Sequence, residues 1–266
     1  MRATILLLAA LTASGQERQP GAGVNFYSRD KEAALGKSLI PNILRQTTRV
    51  ENPFVQDFVN RIGSRLAAQI PGAPYPYTFT VIAGDLSTVA HEPSALPGGY
   101  IFVPAQLILA AKDEAEFAGM LAHSMVHVSE RHATRAATRG EIANVSTVPL
   151  IFMGGWTGYG ARQDTSILIP VGFLKFQRTL ETEGDVRAIT IASNAGFDPA
   201  ALIRYIGREH TPAKLATAFE LVPTPAQRVS RMETEIQKLP EQIYAAPDPN
   251  EFASIQAEVR RLAPQF

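Results

Sequence analysis

The sequence predicts a mainly helical domain with a small β component, and three observations carry that expectation. Asn52-Pro53, Asp198-Pro199 and Thr224-Pro225 each precede apolar residues at helical spacing, and a capping residue followed by proline is a helix start signal. Only two stretches, residues 77–83 and 100–103, have the β-branched and aromatic content of strands. At 266 residues and 45% hydrophobic, the chain is long enough for one sizeable core.

Taken in order, residues 1–15 (MRATILLLAALTASG) join Arg2, an apolar run from Ile5 to Leu11 and the small residues Ala13 and Gly15. That is the pattern of a secretory signal peptide, too short to span a bilayer comfortably, so an exported, periplasmic or secreted protein with no transmembrane span after signal removal is expected. Absence of cysteine excludes a disulfide framework. Residues 16–240 are expected to form the main domain and 241–266 a C-terminal helical tail. Lys+Arg 25 against Asp+Glu 25 leaves no net charge, so no basic field points to nucleic acid.

Ser28–Gln46 reads as a helix, and Val55, Phe58, Val59, Ile62 and Leu66 give the next one a buried stripe. A strand at 77–83 leads through a proline-containing loop and Gly98-Gly99 to a second strand at 100–103. Asp113, Glu114 and Glu116 suit the first turn of a long helix that Arg131, Arg135 and Arg139 close. Phe117, Met120, Leu121, Ser124 and Val128 form its buried stripe. From Ile142 to Ala161 no residue is charged, but Asn144, Pro149 and four glycines argue for an apolar loop rather than a membrane span. A helix from about Leu168 to Asn194, stopped by Gly196, two further helices and a last one at Asn250–Leu262 complete the chain.

The chemistry gathers on the long helix. His123 and His127 are four apart, hence on one face and within reach of one metal ion. In the HExxH motif the second residue is the general base, and here it is Ser124. On spacing alone the pair also fits a helix surface or a satisfied core. In Arg178–Asp185 (RTLETEGD), Glu181 and Asp185 share a face while Glu183 points about 200° away from Glu181, so only one glutamate can face a metal. Two His and one Glu make a catalytic zinc set. An acid one turn beyond a ligating Glu can orient a ligating His, which nominates Asp185. His132, five residues from His127, is a surface residue or a group behind the metal ligands, and its helical rotation off the metal face favours the surface.

Together the motifs resemble a known family. HSMVHVSERH resembles HExxHVxxRH, RTLETEGD resembles RxxExEAD, Leu96–Val103 resembles a PGG strand, and Glu32–Gly36 with Asn52–Gly63 resembles the helical beginning. From Tyr27 to Arg231 the chain resembles the HtpX and CAAX-prenyl-protease family of zinc metallopeptidases, in its soluble periplasmic BepA-like branch. The resemblance implies an α+β, zincin-like domain with a small β-sheet, and one zinc per chain on His123, His127 and Glu181. It also implies an unfolded or extended polypeptide substrate added as a strand near Pro97, Gly98, Gly99 and Tyr100, and a part in protein quality control in the cell envelope.

Three departures surround the site. Ser124 replaces the base, Val222 stands for the family's histidine before Pro223, and Glu92-Pro93-Ser94 replaces Asn-Ala-Phe. A serine hydroxyl does not take a proton from metal-bound water near neutral pH, and loss of such a base costs on the order of 10²–10⁴ in rate. Zinc binding with impaired hydrolysis is therefore expected; a pseudo-peptidase acting as holdase or scaffold is the alternative. Glu92 is the one candidate for a replacement carboxylate.

Overall fold

The computed structural model describes residues 23–70, 72, 75–84, 91–142, 171–209, 225–244 and 248–262. Residues 1–15, expected as a signal peptide, the Ile142–Ala161 run beyond Ile142, and Val222-Pro223 lie outside them.

Helix α1 (Arg29–Leu44) starts at Ser28, whose hydroxyl accepts from Lys31 N. A two-residue strand, β1 (Thr48–Arg49), leads to α2 (Pro53–Ala67), where Asn52 caps and Pro53 takes the first turn as its sequence predicts. The predicted stripe of α2, from Val55 to Leu66, is buried. Strands β2 (Thr78–Ala83), β3 (Ser94–Leu96) and β4 (Tyr100–Pro104) join β1 in a sheet of order β1-β2-β4-β3. β2 and β4 run parallel, pairing Phe79 with Ile101 and Val81 with Val103, and β3 runs antiparallel to β4 at the sheet's edge. The loop expected before residue 100 thus contains a strand, flanked by Pro93 and Pro97, which an edge position tolerates.

After the short α3 (Ala105–Ala110), α4 (Glu114–Ser129) begins at Asp113, whose carboxylate accepts from Glu116 N at 2.8 Å. Nearly every residue of α4 is buried, not only the expected stripe, because α2, the sheet, α6 (Val171–Asn194) and α7 (Ala200–Glu209) pack around it. It is a core helix, and His123 and Ser124 are carried inside with it. At the end of α6, Gly196 (φ +79°) lets Phe197 N donate to Ala192 O, the expected glycine stop.

The long helix expected to reach Arg139 is two helices. α4 stops at Ser129, Arg131 adopts φ +57°, and α5 (His132–Ile142) sets off in a new direction. Buried Glu32 of α1 holds this break: Arg131 Nε donates to both of its oxygens, at 3.0 and 2.9 Å, and Tyr75 and Thr134 hydroxyls bond it too.

α8 (Pro225–Ile236) packs on α6 and α7, and α9 (Pro249–Leu262) on α2 and α3. The segment expected as a tail buries Phe252, Ile255 and Val259 in the same core as α2 and α4. Among the described residues, no helix is long and apolar enough to cross a membrane.

Candidate metal centre

Where α4 meets α6, three donor groups converge. His123 and His127, one turn apart, bring their Nε2 atoms to 3.0 Å. Glu181 faces both, with Oε2 3.4 Å from His123 Nε2 and Oε1 3.6 Å from His127 Nε2. Zinc bonds of about 2.0–2.2 Å to nitrogen and oxygen place tetrahedral ligand atoms roughly 3.3 Å apart, so these separations fit one ion held by all three. His123, His127 and Glu181 form a group able to hold a metal. Gly184 permits the close approach: a Cβ there would lie 3.0 Å from His123 Cε1 and 3.3 Å from His127 Nε2. His127 is the partly exposed member of the three.

Asp185, one turn beyond Glu181, lies behind His123, its Oδ1 3.0 Å from Nδ1 though without the alignment of a straight hydrogen bond. Arg228 of α8 grips the same carboxylate, Nε donating to Oδ2 at 2.8 Å and Nη2 to Oδ1 at 2.6 Å. This is the position from which a carboxylate orients a ligating imidazole.

The charges are arranged around a cation. Burial opposes ionisation of Asp185, but Arg228 and His123 hold its carboxyl well below the usual range. Burial likewise opposes charge on Glu181, and the two histidines override it to bring the carboxyl down to about 2. Burial disfavours a proton on His123 also, yet Asp185 and Glu181 push it up to about 10, whereas burial takes His127 down to about 3. Two ionised carboxylates thus face the imidazoles and favour one positive charge among them, which a metal ion supplies with both histidines neutral.

His132 is not on the surface as expected: it is fully buried, its Nδ1 3.0 Å from His127 Nδ1 and its Nε2 3.3 Å from Glu183 Oε2. The break at Arg131 turns it back onto the site, which helical periodicity continued through that residue misses. Since Nε2 of His132 faces a carboxylate it donates there, so its Nδ1 accepts and His127 Nδ1 donates. The Nε2 lone pair of His127 is left pointing at the metal position. Glu183, the other glutamate of the pair, is turned to His132, Arg135 and Arg187.

Ser124 is buried, and its hydroxyl reaches two backbone carbonyls, Met120 O at 3.2 Å and Pro93 O at 3.3 Å. Serine on a helix commonly bonds back in this way. Beside it, Glu92 is only 6% exposed, with Oε1 4.0 Å from Arg228 Nη1. Burial raises its carboxyl to about 7 against the pull of Arg228. The Glu92–Ser94 end of the β3 segment thus reaches α4. At its other end the Pro97–Tyr100 turn lies under α1, where a Cβ on Gly36 would be 1.7 Å from Pro97 O, and one on Gly99 would be 2.1 Å from Pro76 O. Sequence reasoning named His123, His127, Glu181, Asp185 and Glu92, gave Arg228 no partner, and preferred the surface for His132 over a place behind the metal ligands.

Two imidazoles from one buried helix, a glutamate from a second and an aspartate behind define a metallopeptidase-type centre. The chain belongs to peptidase family M48, whose model matches residues 53–254. It is 26% identical over 228 residues to the beta-barrel assembly-enhancing protease of Yersinia pestis, covering 76% of this chain and 44% of that one. The corresponding protease of Escherichia coli K12 is 22% identical over 213 residues, covering 76% and 43%. A putative member from Vibrio cholerae is 26% identical over 186 residues, covering 67% and 38%. The chain spans less than half the length of these relatives.

Proposed function

We propose that this chain is an exported, zinc-binding M48 protein of the cell envelope that engages unfolded or misassembled polypeptides and hydrolyses them slowly. The observation that carries it is an intact donor set, His123, His127 and Glu181, beside a serine whose hydroxyl is turned to backbone carbonyls. The names of the relatives and the signal-like residues 1–15 support the envelope setting.

Bound zinc acidifies its water and polarises a carbonyl. The chain's own groups do the rest. Asp185, fixed by Arg228, keeps His123 Nε2 toward the metal position, and His132 does the same for His127. An extended peptide adds as a strand at the β3 edge of the sheet, near Pro97, Gly98, Gly99 and Tyr100, of which Pro97, Gly98 and Tyr100 are half-buried. Ser124 leaves the step of proton removal without the usual carboxylate, which sets the rate low.

The test is zinc content of the purified chain together with casein cleavage by wild type and Ser124→Glu. One zinc per chain, lost in His123→Ala, with cleavage rising about 10²-fold or more in Ser124→Glu, is expected. A protein that binds no zinc removes the reading. A silent holdase is the second reading, favoured by the same serine. It gains if neither protein cleaves while both suppress casein aggregation.

A further inference from the structure

Glu92 is a buried carboxylate that the metal cluster does not use. Three observations place it beside the site. The peptide unit that follows it lies against residue 124: Pro93 O is 3.3 Å from Ser124 Oγ, so the Glu92 segment crosses the place where an HExxH helix carries its glutamate. Arg228 donates to Asp185 at 2.6 and 2.8 Å and stands 4.0 Å from Glu92 Oε1, so Glu92, Arg228, Asp185 and His123 form one continuous buried row. The residue before it, His91, adopts φ +53°, a left-handed conformation uncommon outside glycine. Such local strain persists where surrounding structure enforces it, and it clusters at working sites.

We propose that Glu92 supplies the carboxylate that position 124 lacks and is the general base of the residual reaction. Its carboxylate accepts a proton from the attacking water as the water oxygen bonds to the scissile carbonyl carbon. The same proton passes to the leaving nitrogen as the C–N bond breaks, giving one carboxylic acid and one amine and regenerating the carboxylate. The segment that departs most from the family pattern before the PGG turn, Glu92-Pro93-Ser94, thereby compensates for the departure on the helix. This deepens the preceding reading and rests on its bound cation.

The experiment uses the full chain as wild type, Glu92→Gln, Glu92→Asp, Ser124→Glu and the Glu92→Gln/Ser124→Glu double variant. Each is measured for fold by circular dichroism, zinc per chain, the visible spectrum of the cobalt(II)-loaded form, and casein cleavage. Expected are unchanged fold and zinc content, and an altered cobalt spectrum in Glu92→Gln. Residual cleavage should fall about 10²-fold in that variant, fall in Glu92→Asp, which keeps the charge beside Arg228 but withdraws it by one methylene, and return in the double variant. Zinc bound throughout with wild-type cleavage in Glu92→Gln, an unchanged cobalt spectrum, no wild-type cleavage above a chelator-treated blank, or a double variant that stays inactive each overturns the role of Glu92 and leaves the metal reading standing. Absence of zinc from every protein overturns that reading first.

Discussion

Arg228 is the residue on which the charge arrangement of the site turns. It is a buried cation, 2% exposed, between two buried carboxylates, and the bidentate fork to Asp185 is geometry that guanidinium offers and ammonium does not. Arg228→Gln leaves Asp185 and Glu92 buried without their counter-charge, and breaking a buried pair in this way costs about 3–5 kcal/mol. The orienting contact to His123 loosens with it, which should weaken zinc binding roughly 10–100-fold. Arg228→Lys keeps the charge, so it should recover part of the stability but little of the zinc affinity. Urea unfolding and zinc competition against a chromogenic chelator measure the two effects separately; a lysine variant that binds zinc as wild type does would show that the fork contributes only charge.

At the level of elements, the break between α4 and α5 decides which residues reach the metal position. Arg131 sits in its left-handed conformation with its side chain held by Glu32 on α1, to which Nε donates twice, and by the Tyr27 carbonyl, to which Nη2 donates. The Glu32 contact links residues 99 apart in sequence, so no local pattern announces it. Glu32→Ala should cost about 3–5 kcal/mol through loss of the Glu32–Arg131 ion pair and should also weaken zinc binding, because His132 would no longer be fixed against His127. Lys31→Ala, on the exposed side of α1, is the control and should change neither. Equal zinc affinity in Glu32→Ala and wild type would disconnect the break from the site. The same distinction between local and long-range causes explains what was legible in the sequence. His123 with His127, and Glu181 with Asp185, could be read because a four-residue spacing on a helix is itself a geometry. The capped start and stripe of α2 were legible for the same reason. β3 was hidden because its three residues become a strand only by pairing with β4, and Pro93 and Pro97 argue locally for a loop. Arg228 could not be assigned to Asp185 without knowing that α8 packs on α6.

For the whole molecule, the metal position is the point at which stretches distant in the chain are tied together. α4 is enclosed by α2, the sheet, α6 and α7, and α6 carries Glu181 and, through Asp185, the grip of α8. A cation shared by His123, His127 and Glu181 therefore adds a bond between the two central helices that an unfolded chain cannot make in the same geometry. Ligand that binds only the folded state stabilises by about 2.7 kcal/mol at a hundredfold excess over its Kd. For a domain of this size, where 1 kcal/mol moves the midpoint by about 2–4 °C, zinc should raise Tm by roughly 5–10 °C. Chelation should reverse the rise, and His127→Ala should abolish the zinc dependence while leaving the apo midpoint within a few degrees, since His127 is the partly exposed member of the set. Differential scanning calorimetry at several zinc concentrations checks this without any assay of cleavage. Coincident midpoints with and without zinc would mean that packing alone holds α4 to α6, and that the convergence of three donors owes nothing to a metal.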